Sequence, residues 1–312
     1  MNNVGKKRRR KKDVILPNGD CGDGVCNPFS TDEVPNKYWA QRKRFFQKFD
    51  DGVQLDKESW YSVTPEKIAR HLGFRMSTFF KTQNGGKSES NGAVILDAFC
   101  GCGGNAIGFA SQENISLVIC VDIDRNKLRM AANNAKIYGI DPKKMRFVVA
   151  NAIDVIESYS NGDLHSEDKK SSITCEEQEI VEGFTIGTIG LLPQTIDTIF
   201  LSPPWGGMDY LREGKNGYNI SDCIKIVRQI TKEEKTSNEQ DESEFLNGEE
   251  LLVIAAKSAR AGKVMYFLPR NINGVSLGRS ALKAGYCNSI ELEQNYLNGK
   301  LKTVTTYMDK EL

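Results

Sequence analysis

Val94-Ile95-Leu96-Asp97-Ala98-Phe99 runs into Cys100-Gly101-Cys102-Gly103-Gly104-Asn105 and then into Ala106-Ile107-Gly108-Phe109-Ala110. A short apolar run, a glycine-rich turn and an apolar helical stretch predict a buried strand feeding a helix. Such a unit opens a nucleotide-binding α/β sheet, because glycines let the backbone approach a ligand at a helix N-terminus. Leu117-Val118-Ile119-Cys120-Val121-Asp122 predicts a second buried strand, whose last residue stands 25 positions after Asp97. A helix over about 125–138, closed by Gly139, leads to a third strand at Arg146-Phe147-Val148-Val149-Ala150. A fourth runs from Thr195 to Leu201 and a fifth from Val264 to Leu268. Alternating patterns at 289–293 and 301–307 predict a closing antiparallel hairpin. Strands that alternate with helices give an α/β, Rossmann-like, mostly parallel sheet.

Outside this frame the chain divides by composition. Residues 1–30 read as a disordered basic tail that carries Lys6-Lys7-Arg8-Arg9-Arg10-Lys11-Lys12. Residues 31–83 read as a small helical extension. Aromatics at helical spacing (Tyr38, Phe45, Phe49) among basic residues predict one amphipathic helix. Trp60-Tyr61-Ser62-Val63 reads as extended, and Thr64-Pro65 starts a helix that Gly73 stops. A second short helix covers Met76 to Thr82. The main domain occupies 84–312, with acidic surface insertions near 157–190 and 232–247 and helices at 222–230 and 245–261.

The net charge of +1 conceals this segregation. Segments 157–182 and 232–250 each hold eight acidic residues and two lysines, so the remainder is basic. A basic body with a basic tail suits a polyanion such as nucleic acid, and the tail also suits a nuclear address. No apolar run is long enough to span a bilayer, and the charged start is not a secretory leader, so no membrane role is expected. Eight cysteines show no disulfide framework and point to a reducing compartment, cytosol or nucleus. Cys21 and Cys26 lack a second Cys/His pair, with only His71 and His165 in the chain, so no metal is expected.

Two features of the glycine turn favour S-adenosylmethionine over a dinucleotide. Ala106 fills the last glycine position of G-x-G-x-x-G. Asp97 stands where a carboxylate can meet an ammonium group but would repel a pyrophosphate; capping the loop is its competing reading. Asp122 ends the second strand, where it can accept from ribose hydroxyls. The fourth strand ends in Ser202-Pro203-Pro204-Trp205-Gly206-Gly207. Prolines stop a strand and leave carbonyl oxygens without sheet partners. Rigid acceptors beside the Trp205 ring suit a planar amine; a proline turn with a core tryptophan is the bland alternative. The turn resembles that of enzymes which methylate exocyclic amines of bases, with Ser202 in place of their Asp or Asn.

The joint occurrence of Lys37-Tyr38-Trp39, Trp60-Tyr61-Ser62-Val63-Thr64-Pro65-Glu66-Lys67-Ile68-Ala69, Asp97-Ala98-Phe99-Cys100-Gly101, Ser202-Pro203-Pro204-Trp205-Gly206-Gly207, Glu293-Gln294-Asn295-Tyr296-Leu297-Asn298 and Lys300-Leu301-Lys302 resembles the trimethylguanosine synthase family. The resemblance covers roughly 37–312 apart from the acidic insertions. It implies a class I S-adenosylmethionine-dependent methyltransferase, a mostly parallel seven-stranded sheet with a C-terminal antiparallel hairpin and a small N-terminal helical extension. The implied reaction is two methyl transfers to N2 of the 7-methylguanosine cap of small nuclear and nucleolar RNAs. Ser202, Pro203 and Trp205 are its implied catalytic residues, and Trp205, Asn134, Tyr210, Arg270 and Lys302 its substrate contacts. In that set Asn134 reads the guanine edge, and Tyr210, Arg270 and Lys302 hold the triphosphate. The implied cofactor contacts are Tyr61, Thr64, Asp97, Gly101, Gly103, Asp122, Asn151 and Ala152. Asn151 stands where the family often has Asp beside the adenine. A monomer in the nucleus and nucleolus is expected, with ribonucleoprotein core proteins as further partners of the basic tail. Competing readings are another base- or protein-amine methyltransferase and a non-catalytic cap-binding or assembly platform. A dehydrogenase is set aside by the glycine spacing and the lack of a hydride-relay histidine.

Overall fold

A computed structural model describes residues 25–83, 92–162, 178–187, 192–228, 244–287 and 290–310. Its strands are β1 (Ala93–Asp97), β2 (Ile115–Asp122), β3 (Met145–Val149), β4 (Glu179–Val181), β5 (Phe184–Ile186) and β6 (Thr198–Leu201). They continue with β7 (Lys225–Arg228), β8 (Glu244–Asn247), β9 (Val264–Pro269), β10 (Ile290–Leu297) and β11 (Lys300–Met308). The main sheet has the order β10-β11-β9-β6-β1-β2-β3-β5-β4. β1, β2, β3, β6 and β9 are parallel, and β11 and β10 run antiparallel at one edge. Strands buried on both faces need near-continuous apolar runs, as in Thr198-Ile199-Phe200-Leu201, which is buried throughout. The chain leaves β1 toward β2 and β3 on one side and returns through β6 and β9 on the other. The order therefore reverses between β1 and β6, and a crevice opens at the C-terminal ends of those two strands.

The expected seven strands are present, and β4–β5 extends them to nine. Residues 178–187 of the first expected insertion form that hairpin, with Phe184 and Ile186 fully buried. Its acidic side chains meet the neighbouring helix, Glu179 bonding Arg129 at 2.9 Å and Glu182 pairing with Lys136. The helix expected at 222–230 is one turn followed by β7, which pairs with β8, the start of the helix expected at 245. The pairing partner lies beyond residues 229–243, so the local pattern could not show it. Residues 1–24, 163–177 and 229–243, with most of the basic tail and both insertions, lie outside the described residues.

The N-terminal extension holds α1 (Asn36–Trp39), α2 (Arg42–Phe45), α3 (Ser59–Ser62) and α4 (Glu66–Gln83). The single amphipathic helix expected over 38–49 is broken, because its aromatics converge on one point instead of lining a face. Trp39, Phe45 and Phe49 lie 6.1, 6.3 and 5.2 Å from the ring of Trp60, which is 1% exposed. Trp60 sits in the helical turn α3 and not in an extended segment. Arg42 is buried, with Nε 2.9 Å from Asp50 Oδ1 and its guanidinium 4.5 Å from the Trp39 ring.

The remaining helices are α5 (Gly104–Ala110), α6 (Arg125–Ile137), α7 (Ala152–Asn161), α8 (Ile220–Cys223), α9 (Gly248–Ser258) and α10 (Gly274–Lys283). The extension, α5 and α6 cover one face of the sheet, and α7, α9 and α10 the other. Among the described residues, no helix is long and apolar enough to cross a membrane.

Gly73 does not end a helix, since α4 continues through it to Gln83. It is there for packing. A Cβ on Gly73 would sit 2.3 Å from the Gly108 carbonyl oxygen, and one on Gly108 2.6 Å from that of Ala69. The backbones of α4 and α5 thus touch, and this brings the extension down onto the glycine turn. Gly108→Ala raises helix propensity yet is expected to lower the unfolding free energy by about 1–3 kcal/mol through overpacking. Denaturant unfolding measures the sign; a gain in stability contradicts this packing.

Candidate active site

Asp97 is the last residue of β1 and is 1% exposed. Neither carboxylate oxygen makes a hydrogen bond of normal geometry; the Phe99 backbone N–H lies beside the group without closing one. Burial pushes its pKa up to about 7; the Phe99 backbone N–H opposes the rise and the charge of Asp122 adds to it. Asp122 ends β2 with both oxygens engaged. Oδ2 accepts from Gly101 N–H at 2.9 Å and Oδ1 from Asp124 N–H at 2.9 Å. The loop-capping role considered for Asp97 therefore belongs to Asp122, and Asp97 is left for a ligand. Each Asp122 oxygen keeps a second lone pair, as ribose hydroxyls require.

Gly101 and Gly103 have φ of +55° and +88°, a region costly for side-chain-bearing residues. A Cβ at Gly101 would meet nothing within 4 Å, whereas one at Gly103 would press on Ala131 at 3.0 Å. Gly101 thus faces open space and Gly103 lies against α6. The extension reaches this loop through Thr64, whose Oγ1 accepts from Asn105 Nδ2 at 3.1 Å. Asn105 Oδ1 is buried without a partner. Tyr61 is 41% exposed on the extension, its ring centroid 4.7 Å from that of Tyr38.

Asn151 follows β3 beside Asp122, since Ala150 N–H donates to the Asp122 carbonyl at 3.2 Å. Its Oδ1 caps α7 through Ile153 N–H at 3.0 Å, and its Nδ2 donates to the Val227 carbonyl at 2.8 Å. One amide hydrogen and one oxygen lone pair of Asn151 thus serve the protein, and one of each remains. Ala152 is the buried first residue of α7. Ile123, directly after Asp122, is 61% exposed and offers an apolar surface of the kind a purine ring covers. An apolar residue just past the strand-ending acid was its sequence signal.

These residues fit S-adenosylmethionine. An orphaned, buried carboxylate calls for a cationic partner, and the α-ammonium of the methionyl moiety is one. The open Gly101 backbone and the partly free acceptors of Asp122 fit the rest of the molecule.

The amine side lies on the adjacent strand. Asp97 of β1 pairs with Phe200 of β6, and Ala98 N–H donates to the Phe200 carbonyl at 3.1 Å. Ser202 Oγ donates to the Phe99 carbonyl at 3.3 Å, which ties the proline turn to the glycine loop. Pro203 is buried and Pro204 exposed. Trp205 is half-buried, with Nε1 donating to the Phe267 carbonyl at 3.3 Å and the Phe267 ring 5.6 Å away at 35°. The Tyr210 ring meets it edge-on at 5.8 Å.

The cations form the third part. Thr303 of β11 pairs with Pro269 of β9, so the next residues outward, Lys302 and Arg270, are neighbours. Burial and then the charges of Lys300, Arg270 and Arg44 hold the Lys302 pKa below its ordinary value. Among the described residues, none of these four pairs with a carboxylate. Like charges set side by side repel, which suits a polyanion placed among them. Arg44 was not singled out from sequence. In Arg42-Lys43-Arg44, Arg42 is internal and Lys43 pairs with Asp50 at 2.7 Å, so Arg44 alone of the three has no carboxylate partner.

Asn134 does not join the amine side. It is fully buried; Oδ1 accepts from Gln54 N–H at 2.8 Å, and Nδ2 donates to the carbonyls of Gln54 and Cys102 at 2.9 and 3.0 Å. The expected contact with the guanine edge gives way to a tie between the extension and the glycine loop, because both amide hydrogens are already used.

The sequence matches the family described as RNA cap guanine-N2 methyltransferase over residues 92–311. A trimethylguanosine synthase of Schizosaccharomyces pombe is 32% identical over 212 residues, which cover 68% of this chain and 69% of that protein. A trimethylguanosine synthase of Saccharomyces cerevisiae is 30% identical over 269 residues, covering 84% of this chain and 65% of that protein. Among solved structures, a SAM-dependent methyltransferase from Agrobacterium tumefaciens gives a TM-score of 0.47 at 12% identity, over 80% of this chain and 63% of that one.

With a raised pKa, Asp97 is protonated in the ligand-free protein below about pH 7 and must release its proton to pair with an ammonium. Affinity for S-adenosylmethionine is expected to be level above about pH 7 and to fall up to tenfold per unit below it. Calorimetry at pH 6 should show proton uptake by the buffer on binding. Asp97→Asn should weaken binding and flatten the pH profile; an unchanged profile would show that Asp97 does not face the cofactor.

Proposed function

This chain belongs to the RNA cap guanine-N2 methyltransferase family, and from that premise we propose that it acts on 7-methylguanosine caps of small nuclear and nucleolar RNAs. It methylates the cap guanine at N2 with S-adenosylmethionine. Two successive transfers to give 2,2,7-trimethylguanosine, in the nucleus and nucleolus, complete the proposal. The run Lys6–Lys12 supports the RNA class and the compartment, as a polyanion-binding and address-like tail that ribonucleoprotein core proteins can also engage.

The observation that carries the site assignment is the Ser202 hydroxyl bonded to the Phe99 carbonyl. It holds the amine turn against the loop that follows Asp97. The cofactor supplies an activated sulfonium methyl, so alignment matters more than acid–base work. Asp97 holds the cofactor's ammonium, and Asp122 its ribose. Ser202 has its proton directed to Phe99, so its oxygen is free to accept from the N2 amine. The Pro203 carbonyl is a second acceptor in this turn. Together they orient the amine and draw on its protons as positive charge develops. Trp205, fixed by Phe267, stacks on the 7-methylguanine ring; that base is cationic, and a desolvated cation–π contact adds about 2 kcal/mol. Arg270, Lys302, Lys300 and Arg44 face the triphosphate.

Labelled S-adenosylmethionine with 7-methyl-GTP should give di- and trimethylated products, and GTP none. Equal transfer to both nucleotides, or none to either while the cofactor binds, overturns the proposal. Trp205→Ala should reduce turnover at least a hundredfold while cofactor affinity stays within twofold; a normal rate would displace the base from Trp205.

A further inference from the structure

Gly206, Gly207 and Gly214 have φ of +84°, +63° and +72° and lie at the two ends of the segment that follows Trp205. Left-handed glycines accept large backbone changes with little strain, so both ends can hinge. The segment itself, the 3-10 helix Gly207–Glu213, offers little burial to hold it, with Asp209, Leu211, Arg212 and Glu213 exposed. Yet it carries Tyr210, whose ring sets the edge-on wall beside Trp205.

Among the described residues, one side chain from outside the segment hydrogen-bonds it. Asn271 Nδ2 donates to the Tyr210 carbonyl at 2.8 Å and to the Gly214 carbonyl at 3.1 Å. Both amide hydrogens of Asn271 are thus used, one inside the segment and one at its far end. Asn271 is 8% exposed, and its Oδ1 is buried without a partner. Its own backbone is rigid: it follows β9, its carbonyl accepts from Tyr218 N–H at 3.1 Å, and Asn273 N–H donates back to the Tyr218 carbonyl at 2.8 Å. A buried acceptor without a partner is unfavourable, so packing alone does not explain an amide at this place. Its donors are what the fold uses. Arg270 directly precedes it, so one residue stiffens both the cationic rim and the loop that bears Tyr210.

We propose that Asn271 is a positioning residue for the cap side of the site, latching the hinged 206–214 segment so that Tyr210 and Trp205 meet the base in register. The inference rests on the functional reading above. It assigns Asn271 no contact with substrate or cofactor. The latch governs capture and alignment of the cap while the cofactor half, built on β1 and β2, is indifferent to it.

Asn271→Asp replaces the donor amide by an acceptor facing two carbonyl oxygens, at nearly the same shape. Asn271→Ala removes the bonds without adding charge and serves if the aspartate variant does not fold. In steady-state methylation of 7-methyl-GTP, either variant should raise KM for the nucleotide at least tenfold and lower kcat a few-fold. The Kd for S-adenosylmethionine should stay within twofold of the unmodified protein. Unchanged KM, or a cofactor Kd that rises in step with it, overturns the positioning role. Hydrogen exchange supplies a readout that needs no substrate: amides of 207–214 should exchange at least tenfold faster in Asn271→Ala, with β1 and β2 unaffected. If the unmodified protein methylates neither 7-methyl-GTP nor GTP, the functional reading fails. The exchange rates then still decide the latch, and unaltered rates at 207–214 overturn it.

Discussion

An ionised carboxylate sealed from water and left without a partner is among the least tolerable groups in a protein interior. Asp97 would be such a group if it were ionised, at the point where the strand order reverses. The protein answers by letting its pKa rise to about 7. The sign of the consequence follows: the folded, ligand-free chain retains a proton that the unfolded chain gives up near pH 4, so this group's contribution to stability declines as pH rises from about 4 to 7. A cationic ligand reverses that decline by restoring a partner. Asp122, which could have shared the donors of the loop with Asp97, takes Gly101 and Asp124 for itself.

The loop after Asp97 and the helices α5 and α6 beside it are each tied to the N-terminal extension, which is why the extension is more than a covering. Asn134 ties Gln54 to Cys102, Asn105 ties Thr64 to α5, and Lys127 pairs with Glu58 and lies 3.8 Å from Asp56. At its other end the extension clamps the C-terminal hairpin. His71 bonds Glu293 at 2.6 Å, and Arg75 pairs with Glu291 and Glu293 while its guanidinium lies 4.6 Å from the Tyr307 ring. The strand that carries Lys302 and the loop that follows Asp97 are therefore joined through one packed element, and α2 brings Arg44 with it. A displacement of the extension would loosen the cofactor side and the cationic side together.

Strands whose burial is set by unbroken apolar runs were legible in the sequence: β1, β2, β3, β6 and β9, and the alternating pair β10–β11. The glycine turn, both acids and the proline turn were legible for the same reason, since each needs a residue type that little else can replace. What escaped depends on partners distant in sequence. β7 and β8 pair across fifteen intervening residues, and a four-residue alternation reads equally as a helical turn. Gly73 looked like a helix stop because its packing role exists only once Gly108 is opposite it. Trp60 looked extended because an aromatic, β-rich tetrapeptide is ambiguous until four other rings close around it, those of Phe29, Trp39, Phe45 and Phe49. Asn134 and Arg44 show the same limit among side chains: an asparagine in a helix and one cation of a triplet declare their roles only when the neighbours that occupy or ignore them are known.

The two sides of the crevice are complementary in sign. On the β1 side stands a carboxylate without a cation; on the other stand Arg44, Arg270, Lys300 and Lys302, which have no carboxylate partner among the described residues, and burial together with the charges of the other three depresses the pKa of Lys302. A neutralising contact between the two groups would have stabilised the free chain, and the fold keeps them apart, the acid on β1 and the cations on β11, just after β9 and on α2. On the reading proposed above, each set is unfavourable until its own ligand arrives, a cation at Asp97 and a polyanion at the basic group. Stability forgone in the free chain thus becomes discrimination at the site, the usual direction of the stability–function exchange. Alignment of a methyl donor with a weakly nucleophilic amine demands that both ligands be held without freedom, and on the proposed reading charges of opposite sign on the two sides of one crevice supply that restraint.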